Sequence, residues 1–252
     1  MRDTAPALQA LIFDVDGTLA DTEAVHLQCF NEAFAQEGMP WHWTEQDYTR
    51  LLEISGGKER MLHHWKQVEP DVKELEPGAR AQVVARLHEL KTAAYEARVS
   101  AGEVPLRPGV LSLMEAAQRA GWTLAIATTT SPVNIGALLR PVLGPDWRLH
   151  FAAIGDASTA PLKKPHPQVY QQVLREIGKP AGACIALEDS QNGLRAATAA
   201  GVAAVVTPTR YTAHQDFSGA LVVRPDLQGV TPALLRKWLH ERRAEAVASL
   251  SP

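Results

Sequence analysis

Asp14 and Asp16 stand two residues apart at the end of the short apolar run Ala10-Leu11-Ile12-Phe13, with Gly17 and Thr18 directly after them. Side chains alternate along an extended chain, so acids at this spacing point the same way only where the backbone is still a strand. A run this short and apolar predicts a buried central strand delivering both acids to its carboxyl end, where ligands bind in open α/β sheets. Gly17 permits a sharp turn, and Thr18 offers a hydroxyl beside the acids. Alone, the segment also reads as a surface Asp-Gly turn. Three later stretches place polar groups after apolar runs: Thr128-Thr129-Thr130-Ser131, Lys163-Lys164-Pro165-His166-Pro167 and Glu188-Asp189-Ser190. The chemistry that suits the whole set is phosphoryl transfer. Acids from two strands can hold a hard divalent cation through oxygen, and Mg²⁺ suits carboxylates plus a phosphate. An ionised Asp can attack phosphorus, while a neighbouring Asp protonates the leaving alcohol and then deprotonates water. Thr128 and Lys164 supply donors and positive charge to the transferring oxygens.

These residues need strands and helices in alternation to bring them together. Further strands are predicted at Thr123–Ala127, Phe151–Ile154, Ala183–Leu187, Ala203–Val206 and Ala220–Val223. Helical patterns lie between several of them, at Pro108–Ala120, Pro167–Ile177 and Ser190–Ala200, each stopped by a glycine. The hydroxyl run Thr128–Ser131 leads into another. This alternation predicts a doubly wound parallel sheet. One region breaks it. Residues 23–103 show helical patterns only: Val25–Gln36, Glu45–Leu52, Glu59–Val68 and Ala79–Val99. The expected division is an α/β core, 1–22 with 104–252, and a helical insertion, 23–103. Residues 23–105 hold 9 Lys and Arg against 14 Asp and Glu. Any phosphate the insertion binds must therefore be held by local groups. The tail Pro232–Pro252 reads as a helix with Leu234, Leu235, Trp238 and Leu239 packed on the core and its basic residues in solvent.

With 46% apolar and 21% charged residues, the composition is that of an ordinary globular protein. A net charge of −3 gives no global footprint for nucleic acid. No run approaches the ~20 apolar residues of a membrane span, and the first residues lack the apolar region of a signal peptide. The expectation is a soluble, cytoplasmic monomer with a small-molecule substrate and neither nucleic-acid nor membrane partners. Cys29 and Cys184 read as small buried hydrophobes rather than as a disulfide or a nucleophile. Trp41 and Trp43 are expected inside the helical insertion or at its rim. His63-His64 makes a poor metal pair on a helix, where adjacent residues diverge.

The four motifs, in order, resemble those of the haloacid dehalogenase-like superfamily, most of whose members are phosphatases and phosphomutases. Asp14, Asp16 and Thr18 match its Asp-x-Asp-x-Thr; Thr128 matches the hydroxyl after the second strand. Lys164 matches the lysine before Pro-x-Pro, with Lys163 a close competitor, and Glu188 with Asp189 matches the final acidic motif. The resemblance implies Asp14 as nucleophile and Asp16 as general acid/base. It also implies Mg²⁺ on Asp14, the Asp16 carbonyl, Asp189 and Glu188, beneath a C1-type α-helical cap. Asp21, Thr22, Glu23 and His26 follow the first motif as in the beta-phosphoglucomutase and CbbY subgroup, where a similar histidine supports the acid/base Asp. His26 reads equally well as a packed or capping histidine. Ser55-Gly56-Gly57-Lys58-Glu59-Arg60 opens a helix with a glycine turn, whose N–H groups, with Lys58 and Arg60, suit a distal phosphate; a plain solvated loop is the alternative. Thr129, Thr130, Thr18 and Glu23 complete the expected substrate contacts. Taken together, the stretches are most similar to CbbY, a family that includes phosphatases of xylulose-1,5-bisphosphate. A phosphomutase is the alternative, since it uses the same core residues. A dehalogenase would lack Asp16, and a phospho-receiver domain would lack the helical insertion.

Overall fold

The computed structural model describes residues 6–69 and 78–248. Six parallel strands form one sheet: β1 (Ala10–Phe13), β2 (Thr123–Ala127), β3 (Ala153–Gly155), β4 (Cys184–Glu188), β5 (Ala203–Val206) and β6 (Val222–Val223). Their order is β3-β2-β1-β4-β5-β6, so the first strand lies at the centre, between β2 and β4. Chain order reverses at β1, and such a switch point opens a crevice at the carboxyl ends. Phe13 pairs with Ile126 on one side and Leu187 on the other. The residues that follow all three strands therefore emerge at one level, and they are the polar ones.

The period-2 alternation divides the core by size. Leu11, Phe13, Leu124, Ile126, Ile185 and Leu187 share one apolar cluster with residues of α5 (Val110–Arg119), α6 (Pro132–Leu143) and α9 (Pro232–Ala248). Ala10, Ile12, Ala125, Ala127, Cys184 and Ala186 belong to the other, with α7 (Gln168–Ile177) and α8 (Gln191–Ala199). Small side chains on that second face let helices approach the sheet closely, which brings Tyr170 of α7 beneath the ends of β1 and β4. This is a doubly wound α/β fold, as the alternation predicts. Residues 249–252 of the expected C-terminal helix and residues 1–5 lie outside the described residues.

Between β1 and β2 the chain forms α1 (Glu23–Gln36), α2 (Glu45–Leu51), α3 (Gly57–Val68) and α4 (Ala79–Ser100). They pack around an aromatic cluster of Phe30, Phe34, Trp41, Trp43, Tyr48, Leu51, Met61, Val84 and Leu87. His64 stands edge-on to Trp41 and Trp43, a packing role rather than a ligand's. The α2 start carries a full capping box, Thr44 with Asp47. Both cysteines are buried and free, their thiols pushed up to about 11 by desolvation. No described helix is long and apolar enough to cross a membrane.

Candidate active site

Asp14 leaves β1 with its backbone N–H still donating to Leu187 O of β4 at 3.0 Å. The ladder thus carries the carboxylate to the level of Glu188 and Asp189. Gly17 then turns the chain at φ +79°, and Asp189 is packed so closely over it that a Cβ would lie 2.2 Å from Oδ2. On the other side of the acids, a Cβ at Gly193 would lie 1.8 Å from Glu188 Oε2. Only glycine fits at either position.

Three buried carboxylates converge: Asp14, Glu188 and Asp189 each place an oxygen within 4.8 Å of the others. Lys164 lies among them, its Nζ donating to Asp14 Oδ1 and to Glu188 Oε1, both at 2.7 Å. Tyr170 also donates to Glu188 Oε1. Glu188 Oε2 is buried with no partner among the described residues. Burial drives all three acids upward. It raises Asp14 against the opposing pull of Lys164, lifts Glu188 to about 7, and raises Asp189 well above the carboxylate range with help from Asp14 and Glu188. The ion pairs overcome desolvation at Lys164 and raise it. One ammonium against three carboxylates leaves a deficit of positive charge. An all-oxygen donor set with that deficit and an orphaned oxygen fits a hard divalent cation.

Asp16 is turned the other way. Its Oδ1 accepts from Thr22 Oγ1 at 2.7 Å and lies 3.0 Å from His26 Nε2. Behind the imidazole, Lys91 Nζ of α4 is 2.6 Å from Nδ1, and the Tyr95 ring stacks on His26 at 4.1 Å. An ammonium donating to Nδ1 sets the tautomer with hydrogen on Nε2, which then donates to Asp16. Desolvation pulls Asp16 up, but His26, Thr22 and Lys91 outweigh it and hold the acid well below its usual range. Burial lowers Lys91 to about 8. The two acids of the first motif thus occupy opposite environments, as different roles require. The two directions are opposite: burial raises Asp14, and His26, Thr22 and Lys91 lower Asp16.

Both acids open into a cavity of about 430 Å³ between the sheet ends and the helical unit. Thr128, Thr129 and Thr130 line it, as do Lys164, Glu23 and His26. Glu23 is held by Tyr48, whose hydroxyl donates to Oε2 at 2.6 Å. Thr130 Oγ1 accepts from Asn134 Nδ2 at 3.0 Å, at the start of α6. Lys58 and Lys163 reach the same cavity from α3 and from the loop before α7. His88 joins them there and is lowered to about 4, by burial first and then by Lys91, Lys58, His26 and Lys163. That wall of the cavity gathers Lys58 and Lys163, with Glu59 beside them, although the helical stretch as a whole is acidic.

Two expectations change. Thr18 does not line the cavity: after the turn at Gly17 it is 1% exposed, and its hydroxyl has no partner among the described residues. Arg60 touches the cavity, but its guanidinium is spent on Leu51 O, Ile54 O and the Tyr48 hydroxyl, tying α3 to α2. Lys58 is left as the cation of that turn. The Asp16 carboxylate is turned to Thr22 and His26, which leaves its carbonyl as the expected cation contact. Sequence reasoning missed Tyr48, Lys91, Tyr170, Asn134 and Thr212. Each sits on a helix or loop where it looks like packing or solvated surface, and only a buried Lys on the face of α4 would have been a signal.

The family model for haloacid dehalogenase-like hydrolases matches residues 8–201. The chain belongs to that family. Among its relatives, protein CbbY (plasmid) of Cupriavidus necator is 55% identical over 220 residues, 87% of this chain and 86% of that one. Crystal structures of CbbY from Rhodobacter sphaeroides are 40% identical, covering 88% of this chain and 96% of theirs. One is in complex with phosphate, at a TM-score of 0.80. Another, a mutant in complex with xylulose-(1,5)bisphosphate, has a TM-score of 0.81. This haloacid dehalogenase-like hydrolase is an enzyme, a phosphatase acting on phosphoric monoesters.

Proposed function

We propose that the enzyme hydrolyses a small sugar bisphosphate, xylulose 1,5-bisphosphate, through an aspartyl phosphate on Asp14, with Mg²⁺ as cofactor. The carrying observation is the layout of one cavity, with the Asp14–Lys164 pair and the Asp16–His26 pair at its floor and Lys58 and Lys163 on its wall. Two phosphates on one small sugar need two such poles. The volume is in the range of small-molecule sites. The CbbY structure with bound xylulose bisphosphate supports the same substrate class.

In this reading an Asp14 oxygen attacks phosphorus and the bond to the sugar oxygen breaks. Asp16 gives that oxygen a proton, supplied through His26 and Lys91. The arriving phosphate dianion raises the proton affinity of Asp16 by like charge, which reverses its resting preference. Asp16 then takes a proton from the water that attacks the phospho-Asp14, and phosphate leaves. Lys164, the Thr128 hydroxyl and the N–H of Thr129 stabilise the transferring oxygens. Asp14, Asp189, Glu188 and the Asp16 carbonyl would hold Mg²⁺, which when bound neutralises the carboxylates and the phosphoryl charge. Residues 23–103 act as a cap that excludes water over the core formed by 1–22 and 104–252. Glu23 and Lys58 read the substrate.

A phosphate-release screen over sugar mono- and bisphosphates, with and without Mg²⁺, tests the reading. Asp14→Asn should abolish turnover and leave the circular dichroism spectrum unchanged. An active variant would overturn the assignment of Asp14. An isomerised sugar phosphate in place of free phosphate would mark a mutase.

A further inference from the structure

The segment that follows β5 touches both the helical unit and the acidic group. Tyr211 is 1% exposed and belongs to the aromatic cluster of the helical unit, its ring edge-on to Tyr48 with centroids 6.1 Å apart. The next residue faces the opposite way. Thr212 Oγ1 accepts the Thr209 N–H at 2.9 Å, which leaves its own proton to donate to Asp189 Oδ2, 3.4 Å away. Thr209 Oγ1, at 3.5 Å, is the other oxygen within reach.

The start of the segment is pinned by Arg107, which precedes α5. Its guanidinium donates to the carbonyls of Thr207 and Pro208, to Pro225 O at 2.8 Å, and to Gly17 O in the turn beneath Asp189. Turn, segment and carboxylate therefore form one frame, from which Tyr211 projects into the helical unit. Further contacts close the same seam: Asn192 Nδ2 of α8 donates to Glu53 O at 2.8 Å, and Arg210 lies 3.5 Å from Glu45 of α2.

We propose that Tyr211 and Thr212 are positioning residues that couple the seating of the helical unit to the orientation of the Asp189 carboxylate. The inference rests on the reading of Asp189 as a cation ligand. Tyr211 is buried against the aromatic cluster only while α2 lies over it. When the unit swings away, the ring is exposed, the segment relaxes, and Thr212 no longer holds Asp189. The carboxylate is thus aimed at a divalent cation chiefly in the closed form, and coupling of this kind is reciprocal: the cation must favour closure.

Mg²⁺ alone, titrated calorimetrically into the full-length protein, tests this. Thr212→Val keeps the shape and deletes the donor; it should weaken Mg²⁺ binding about tenfold, the cost typical of losing a partner that orients a metal ligand. Thr212→Ser should restore it. Tyr211→Ala and the milder Tyr211→Leu should weaken binding as well, although Tyr211 makes no hydrogen bond to the acidic group, while Tyr211→Phe should not. Mg²⁺ should slow amide exchange in α2 of the wild type and fail to do so in Tyr211→Leu. Unchanged Mg²⁺ affinity in Thr212→Val overturns the role of Thr212. Wild-type affinity in Tyr211→Leu with faster exchange in α2 overturns the coupling. Failure of the substrate reading looks different: the wild type would bind Mg²⁺ with this pattern of variants yet release no phosphate from any sugar phosphate.

Discussion

Replacing Lys164 by Met keeps the length and apolar body of the side chain and deletes the ammonium that bonds Asp14 and Glu188. Removing one partner of a buried ion pair costs about 3–5 kcal/mol, because a charge stays buried without compensation. Here the cost must depend on pH, since the stranded groups are acids that can take up protons. Burial already lifts Glu188 to about 7 against an unfolded value of 4.5, and Lys164 is what holds it from rising further. Between those two values the folded state binds the extra proton. Stability is therefore greatest below the unfolded value and falls as pH rises toward the folded one, by about 1.4 kcal/mol per unit. In Lys164→Met the folded value moves higher, so the fall continues past neutrality. The variant should lie about 3–5 kcal/mol below the wild type near pH 8 and only about 1 kcal/mol below it near pH 5. Urea denaturation at both pH values, with chelator and with excess MgCl₂, measures this. Mg²⁺ should recover part of the loss near pH 8, where the carboxylates are ionised. An equal deficit at both pH values, untouched by Mg²⁺, would mean that lost packing and not charge is responsible, and the electrostatic reasoning would fail.

Further outcomes concern the opposite wall and the relay. Lys58→Ala should raise KM for a sugar bisphosphate by about tenfold or more, the worth of a charge-assisted hydrogen bond, with little change for a monophosphate; Arg60→Ala should instead lower the melting temperature. Lys91, lowered to about 8 from 10.5, loses its proton early, so kcat should fall as pH rises through about 8 when the charge opposite Asp16 disappears. Stability moves the other way: between those values the unfolded chain binds the extra proton, so it should rise across that window, and Lys91→Met should flatten the slope.

The core of the site was legible in the chain because its chemistry is local. Asp14, Thr128, Glu188 and Asp189 each follow a short apolar run, and parallel register brings such ends to one level, while Lys164 arrives on the loop between β3 and α7. Asp14 and Asp16 could be paired from spacing alone. Their different environments could not, because His26, Lys91 and Thr22 surround one acid, and Lys164 and Glu188 the other, through contacts spanning as many as 150 residues of sequence. The helical stretch was legible as helices, yet its substrate contacts were not. Lys58 and Arg60 are two residues apart in one basic turn, and only packing decides that Arg60 ties α3 to α2 while Lys58 reaches the cavity. Tyr211 and Thr212 carry the same lesson: nothing in a loop sequence says that one side chain enters the aromatic cluster while its neighbour turns to Asp189. Period and spacing are properties of the local backbone, and they were enough for the alternation of strands and helices, the central strand and the set of acids, hydroxyls and lysine at its rim. Tertiary structure alone decided which oxygens are buried, which cation faces each acid and which residues join the helical unit to the core, because burial and charge are set by every element that packs around a group.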